Sequence, residues 1–284
     1  MAVNTYAEAL KDLSKLLVAV EPFGEHLVLA GGFAAWLYRF VEPYDNTGPE
    51  LFTQDIDYAV PRRLPAELPS LAEALHSIEF VAVRSRDKEP PVMVFQDRRW
   101  GDEEKAPVYA EFLAPLRGKP TGSVVAVEPG VNAMLLRYMD LALDGPIALD
   151  VSKVETLDVP DGTLAYLPHP AHFVLHKALT APLRATREKR HKDFAYLYDV
   201  VVRTRRGWPE MRERLAALEG QGERAAWLRR ARADLVKWFG EPTGQGCVAA
   251  AAVWNDREPA LALTPEEVCI AMRMGLAALG LTTP

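Results

Sequence analysis

Two aspartates one residue apart, Asp55 and Asp57 in "TQDIDYAV", fall where alternate strand residues share a face. Their carboxylates would lie side by side, and like charges so close are costly without a cation between them. Magnesium is the hard cation that such oxygen donors hold. A site for two ions needs a third acid, and Glu111 in "VYAEFLAPL" supplies one from an otherwise apolar strand. Taken singly, each has an ordinary reading: a solvated strand start for the pair, an edge charge for Glu111. Taken together they point to one metal site.

Upstream, "LVLAGGFAAWLYRF" breaks an apolar strand at Gly31-Gly32 and turns straight into a helix. Without side chains there, backbone N–H groups at a helix start lie open to an anion such as a triphosphate. A lone Gly-Gly is usually a tight turn. Beside metal-binding acids it reads as a phosphate cradle.

The elements around these residues follow from periodicity. Residues 6–20 place Leu10, Leu13, Leu16 and Leu17 at helical spacing. "HLVLA" predicts a strand, "FAAWLYRFV" a helix ended by Pro43 and the cluster Asn46-Thr47-Gly48-Pro49, and "DIDYAV" a strand stopped at Pro61. "LPSLAEALHSIEF" predicts a helix. "VMVFQDRRW" and "VYAEFLAPL" predict a hairpin across the charged turn Gly101-Asp102-Glu103-Glu104-Lys105. A helix is expected over "VNAMLLRYMDLAL", then strands over "GPIALDV" and "GTLAYLP". From Pro170 the pattern is helical, with breaks near Gly207, Gly220 and 240–246. The expectation is an α+β protein: a mixed-sheet domain over 1–165 and a helical domain over 166–284.

Composition excludes several classes. A hydrophobic fraction of 49% with 25% charged residues is that of a globular chain, not a disordered one. A net charge of −6 argues against binding nucleic acid by charge spread over the whole surface. Cys247 and Cys269 are too few for a disulfide framework and lack zinc spacing, which suits a reducing cytoplasm. The first twenty residues do not read as a signal peptide, and no apolar run is long enough to span a bilayer.

The arrangement "LAGGFAAW…TQDID…AEFL" resembles the nucleotidyltransferase superfamily, the DNA-polymerase-beta-like fold. That family carries a Gly-Gly or Gly-Ser turn, an acid-x-acid pair on the next strand and a third acid on a later one. Gly31 and Gly32 match the turn, Asp55 and Asp57 the pair, and Glu111 the third acid. The resemblance extends to the bacterial abortive-infection-type toxins and related uncharacterised proteins of the fold, in which a lysine and then a basic stretch ending in Lys-Asp follow. Here Lys177 in "LHKAL", and Arg187, Lys189, Lys192 and Asp193 in "RATREKRHKDFAYLYDV", match. One position departs: many active members have a serine at the glycine turn, where this chain has Phe33.

The resemblance implies transfer of a nucleotide from an NTP to a hydroxyl with two Mg2+ ions held by Asp55, Asp57 and Glu111. The proton of that hydroxyl would go to Glu111 or to a metal-held hydroxide. Lys177, Arg187 and Lys192 would meet the nucleotide's phosphates, each with the plain alternative of a solvent-facing helix cation. The acceptor implied is an RNA 3′ end or a protein, possible partners include an antitoxin protein, and no membrane is expected. The alternative is an inactive nucleotide- or partner-binding module on the same fold. His169, His172 and His176 have partial metal spacing but lack the Glu of H-E-x-x-H, and His176 could line the nucleotide pocket. The tail arginines Arg229, Arg230 and Arg232 suit packing or a partner better than catalysis.

Overall fold

Apolar positions 10, 13, 16 and 17 are buried along one side of α1 (Thr5–Val20), the first element of the chain. The computed structural model describes residues 5–44, 50–51, 53–85, 92–101, 108–118 and 122–282. The chain divides into two units, residues 1–34 with 52–169 and residues 35–51 with 170–284.

In the first unit a 3-10 turn, Glu21–His26, leads into β1 (Val28–Leu29) and then α2 (Gly31–Leu37), which crosses into the second unit's residues. The helix therefore starts on the glycines themselves. β2 (Asp55–Ala59) follows, then α3 (Leu71–Ser77), whose first turn is capped by the Ser70 hydroxyl accepting from the Glu73 amide. β3 (Phe80–Ser85), β4 (Val92–Asp97), β5 (Tyr109–Pro115), β6 (Val124–Glu128), β7 (Val131–Leu136), β8 (Ile147–Asp150) and β9 (Leu164–Leu167) complete the sheet. Among the described residues its order is β3-β4-β5-β2-β1-β9-β8, with β7 also on β5 and β6 on β7. The sheet is mixed: β2/β5, β5/β7 and β1/β9 run parallel, the other pairs antiparallel.

β5 lies in the middle, all seven residues buried, as a strand covered on both faces must be. One face carries a stack of rings, Tyr58 on Phe112 at 6.1 Å and Phe95 edge-on to Phe112 at 5.4 Å. The other face continues from Asp55 and Asp57 into Ala59 and Leu113, which join Val28, Ala30, Met139 and Ala142 in an apolar cluster. α1 is tied to the end of β4 by charge: Lys15 donates to Asp97 at 2.5 Å, and buried Asp12 accepts from Arg99 at 2.6 Å and from the Trp100 indole at 3.2 Å.

Two expectations need correction. Residues 131–136 form strand β7, not a helix. Gly130, at φ +85°, closes a tight turn that pairs Glu128 with Val131, and the free edge of β5 takes Met134, Leu135 and Leu136 in register. Of the predicted helix only a 3-10 turn, Met139–Leu141, remains helical. Strands β3 and β6 were absent from the expected elements altogether. β4 and β5 are antiparallel neighbours as expected, joined at Phe95 and Ala110. Most of their charged connection, Asp102 to Lys105, lies outside the described residues, as does the cluster Asn46-Thr47-Gly48-Pro49.

The second unit is helical. It comprises the end of α2, a 3-10 turn Tyr38–Phe40, and then α4 (Pro170–Thr180), α5 (Arg187–Arg203), α6 (Trp208–Ala216), α7 (Glu223–Phe239), α8 (Gln245–Arg257) and α9 (Pro265–Ala278). α5 packs on α4, α8 and α9. Its Phe194 meets Trp238 at 4.9 Å and Phe239 at 5.9 Å. Gly246 of α8 lies against the Phe239 ring and Gly275 of α9 against Val201, positions where a side chain would force the helices apart. Among the described residues no helix is long and apolar enough to cross a membrane.

Candidate functional site

Parallel pairing of β2 with β5 sets the site. Asp55 lies beside Tyr109 and Asp57 beside Glu111, so three carboxylates and a phenol share one face of two adjacent strands. Asp55 and Asp57 are half-buried, whereas Glu111 is only 6% exposed. The Tyr109 hydroxyl donates to the Asp55 carboxylate. Burial, followed by the charges of Asp55, Glu111 and Asp57, pushes the Tyr109 phenol well above its usual range. One hydroxyl is thus within electrostatic reach of all three acids.

The glycine turn meets the same face. Gly31 has φ +63°, and a Cβ built on it would stand 3.0 Å from Asp57 Cγ, with Oδ2 closer still. Only a residue without a side chain fits there. The Ala30 amide donates to the Asp57 carbonyl at 2.7 Å, fastening the turn to β2. Gly32 is buried in the first turn of α2, and Phe33, the residue after it, is 2% exposed. Among the described residues no group of three or more His, Cys, Asp or Glu closes tightly enough to hold a metal as it stands.

Tyr109 is the residue that sequence reasoning missed. It stands two before Glu111 on a predicted strand, so the period-2 rule that paired Asp55 with Asp57 was enough to find it.

The remaining predicted residues, His169 apart, belong to the second unit. Lys177 is buried on α4, its Nζ 2.7 Å from Asp193 Oδ1 and above the rings of Tyr196 at 5.2 Å and Phe173 at 5.6 Å. Asp193 also accepts from Arg184 Nε at 2.5 Å. Burial would raise the Asp193 pKa, but Lys177 and Arg184 together hold it below the usual carboxylate range. Lys192 lies 5.9 Å from the centroid of the same Tyr196 ring. Arg187 is exposed, its Nε donating to His191 Nε2 at 3.2 Å. His172 is wholly buried in α4, and His169 is buried in the first unit. The His176 pKa falls to about 3, through burial first and then the charges of Lys177 and Arg184.

No curated protein and no solved structure gives a significant match to the sequence. A family model described as Nucleotidyltransferase matches residues 8–218, which take in β1 to β9 and run to the end of α6. The match covers well over half of the sequence and includes both the glycine turn and the acid face, and the chain belongs to the nucleotidyltransferase family.

Proposed function

We propose that this chain moves an NMP group from an NTP to a hydroxyl acceptor, using magnesium at the face formed by Asp55, Asp57 and Glu111. The observation that carries the reading is the strand register, Asp57 beside Glu111 with Asp55 held by Tyr109 two pairs along, on the same face. The donor set fits: three carboxylates supply the hard oxygens that magnesium prefers, although their spacing is not a closed cage. Asp55 and Asp57 would hold both ions and Glu111 one of them. Magnesium bound there would neutralise the triphosphate and stabilise the departing pyrophosphate.

The chain's own residues do the rest. Gly31 leaves room for the Asp57 carboxylate at the turn, and Tyr109 fixes the orientation of Asp55. The bond from the α-phosphorus to pyrophosphate breaks as the acceptor oxygen bonds to phosphorus, and the hydroxyl proton passes to Glu111, the most enclosed of the three acids. Positioning and charge neutralisation supply most of the acceleration. RNA and protein hydroxyls are the acceptor classes proposed, with a toxin-like role as their setting.

A second reading, a nucleotide- or partner-binding module, draws on Phe33, which puts no hydroxyl at the turn. The experiment separates the two. Purified protein is incubated with magnesium and each labelled NTP, with total RNA and cell protein as acceptors, beside an Asp55→Asn/Asp57→Asn variant. Label on an acceptor that the variant fails to add supports transfer. Nucleotide binding that needs the aspartates, without transfer, moves the conclusion to the binding module.

A further inference from the structure

In the second unit an open groove of about 610 Å³ runs along α6 to the end of α9, lined by Arg205, Trp208, Arg212, Glu213 and Ala278. That size falls within the roughly 300–1,000 Å³ of small-molecule sites. The indole in its lining is held in place: Nε1 donates to the Val201 carbonyl at 2.9 Å, and Gly275 packs against the ring, where a Cβ would lie 3.2 Å from Trp208 Cζ2. Trp208 is half-buried, so the rest of its surface faces the groove. Arg205 and Arg212 are both exposed, and the Arg205 guanidinium lies 6.0 Å from the indole centroid. Two guanidiniums against the single carboxylate of Glu213 favour an anion, and a fixed aromatic ring in the same lining favours a planar group.

We infer that this groove binds single-stranded RNA, a base stacking on Trp208 while neighbouring phosphates meet Arg205 and Arg212. Aromatic platforms interleaved with cations take single strands in this way, because every base has a face to stack and every linkage a charge. A duplex keeps its bases covered and does not fit this chemistry. An acidic peptide would use the arginines and leave the indole idle. The role of the groove as the place where an acceptor is held rests on the proposed transfer reading; the binding itself does not.

The test is fluorescence anisotropy of a short labelled oligouridylate with the full chain, in EDTA and without NTP, over a salt series. Arg205→Ala/Arg212→Ala should weaken binding at least tenfold and flatten the slope of log affinity against log salt by about 1.4, roughly 0.7 per lost phosphate contact. Trp208→Leu should weaken binding about tenfold or more, Trp208→Phe should restore most of it, and Glu213→Gln should tighten it. The arginines are exposed, so their variant tests the idea even if Trp208→Leu unfolds. No binding by the wild-type chain, equal competition by a duplex of the same sequence, or binding indifferent to both arginines would overturn the inference. Transfer to a protein acceptor without RNA binding would sink it and leave the transfer reading intact. RNA binding retained by Asp55→Asn/Asp57→Asn with no transfer by the wild type would do the reverse.

Discussion

A side chain on Gly31 would occupy space that the Asp57 carboxylate already fills. The turn and the acid are therefore one piece of geometry, although 25 residues of sequence separate them. Gly31→Ala meets two obstacles, the overlap with Asp57 and a left-handed backbone at φ +63° that costs an alanine about 1–2 kcal/mol. It should lower stability by at least that much in a denaturant titration, and because Asp57 must move, nucleotide transfer should fall at least tenfold. A variant that melts earlier yet transfers at the wild-type rate would remove Asp57 from the site.

Tyr109→Phe tests the hydroxyl that donates to Asp55 and feels the charges of Glu111 and Asp57. Its folded pKa is raised, so the unfolded chain loses this proton first, near pH 10. The phenol's contribution to stability is thus fully present below that pH and is lost as pH rises beyond it. The variant should shed part of the alkaline loss of stability, up to about 1.4 kcal/mol per pH unit, while other buried tyrosines such as Tyr58 keep theirs. At neutral pH the fold should hold and transfer should drop about tenfold or more, since a hydrogen bond to a charged group contributes about 1.5–3 kcal/mol and about 1.4 kcal/mol is a factor of ten. Unchanged transfer would reduce Tyr109 to a packing residue.

The acid face was legible because strand alternation is strict: residues 55, 57 and 111 stand on faces that period 2 alone assigns, and parallel register then aligned them. The same alternation puts Tyr109 on the face of Glu111. β7 was illegible for a physical reason. "VNAMLL" has neither clean alternation nor polar breaks, so its state was decided by the Gly130 turn and the open edge of β5, both tertiary facts. The pairing of Lys177 with Asp193 was hidden likewise, since it depends on how α4 and α5 pack. Nor did the sequence hint that residues 35–51 belong with the helical unit.

His176 gives the second unit an acid weakness. Its Nε2 is enclosed and, among the described residues, has no hydrogen-bond partner, while Lys177 and Arg184 oppose a further positive charge. With the folded pKa near 3 and the unfolded one near 6.5, the unfolded chain binds the extra proton between those limits. Stability should fall as pH drops from about 6.5 toward 3, by at most about 1.4 kcal/mol per unit from this group. His176→Gln should flatten that slope in urea titrations at pH 7, 6, 5 and 4. An imidazole that titrates near pH 6.5 by NMR would show the site to be open.

The pair Lys177 and Asp193 carries the sharpest contrast. Asp193→Asn leaves a buried ammonium without its counter-charge, a loss of about 3–5 kcal/mol for such pairs. Lys177→Met keeps an unbranched chain against Phe173 and Tyr196, and Asp193 retains Arg184, so it should cost roughly half as much. Denaturant titration orders the two variants, and the reverse order would mean that Arg184 does not hold the carboxylate. Nucleotide binding then separates structure from recognition. If Lys177 meets the phosphates of an NTP, Lys177→Met should weaken binding per folded molecule at least tenfold under conditions where the variant is fully folded. Binding equal to that of the wild type would leave Lys177 as the counter-ion of Asp193, and Lys192, half-buried above the same Tyr196 ring, would become the cation to replace next.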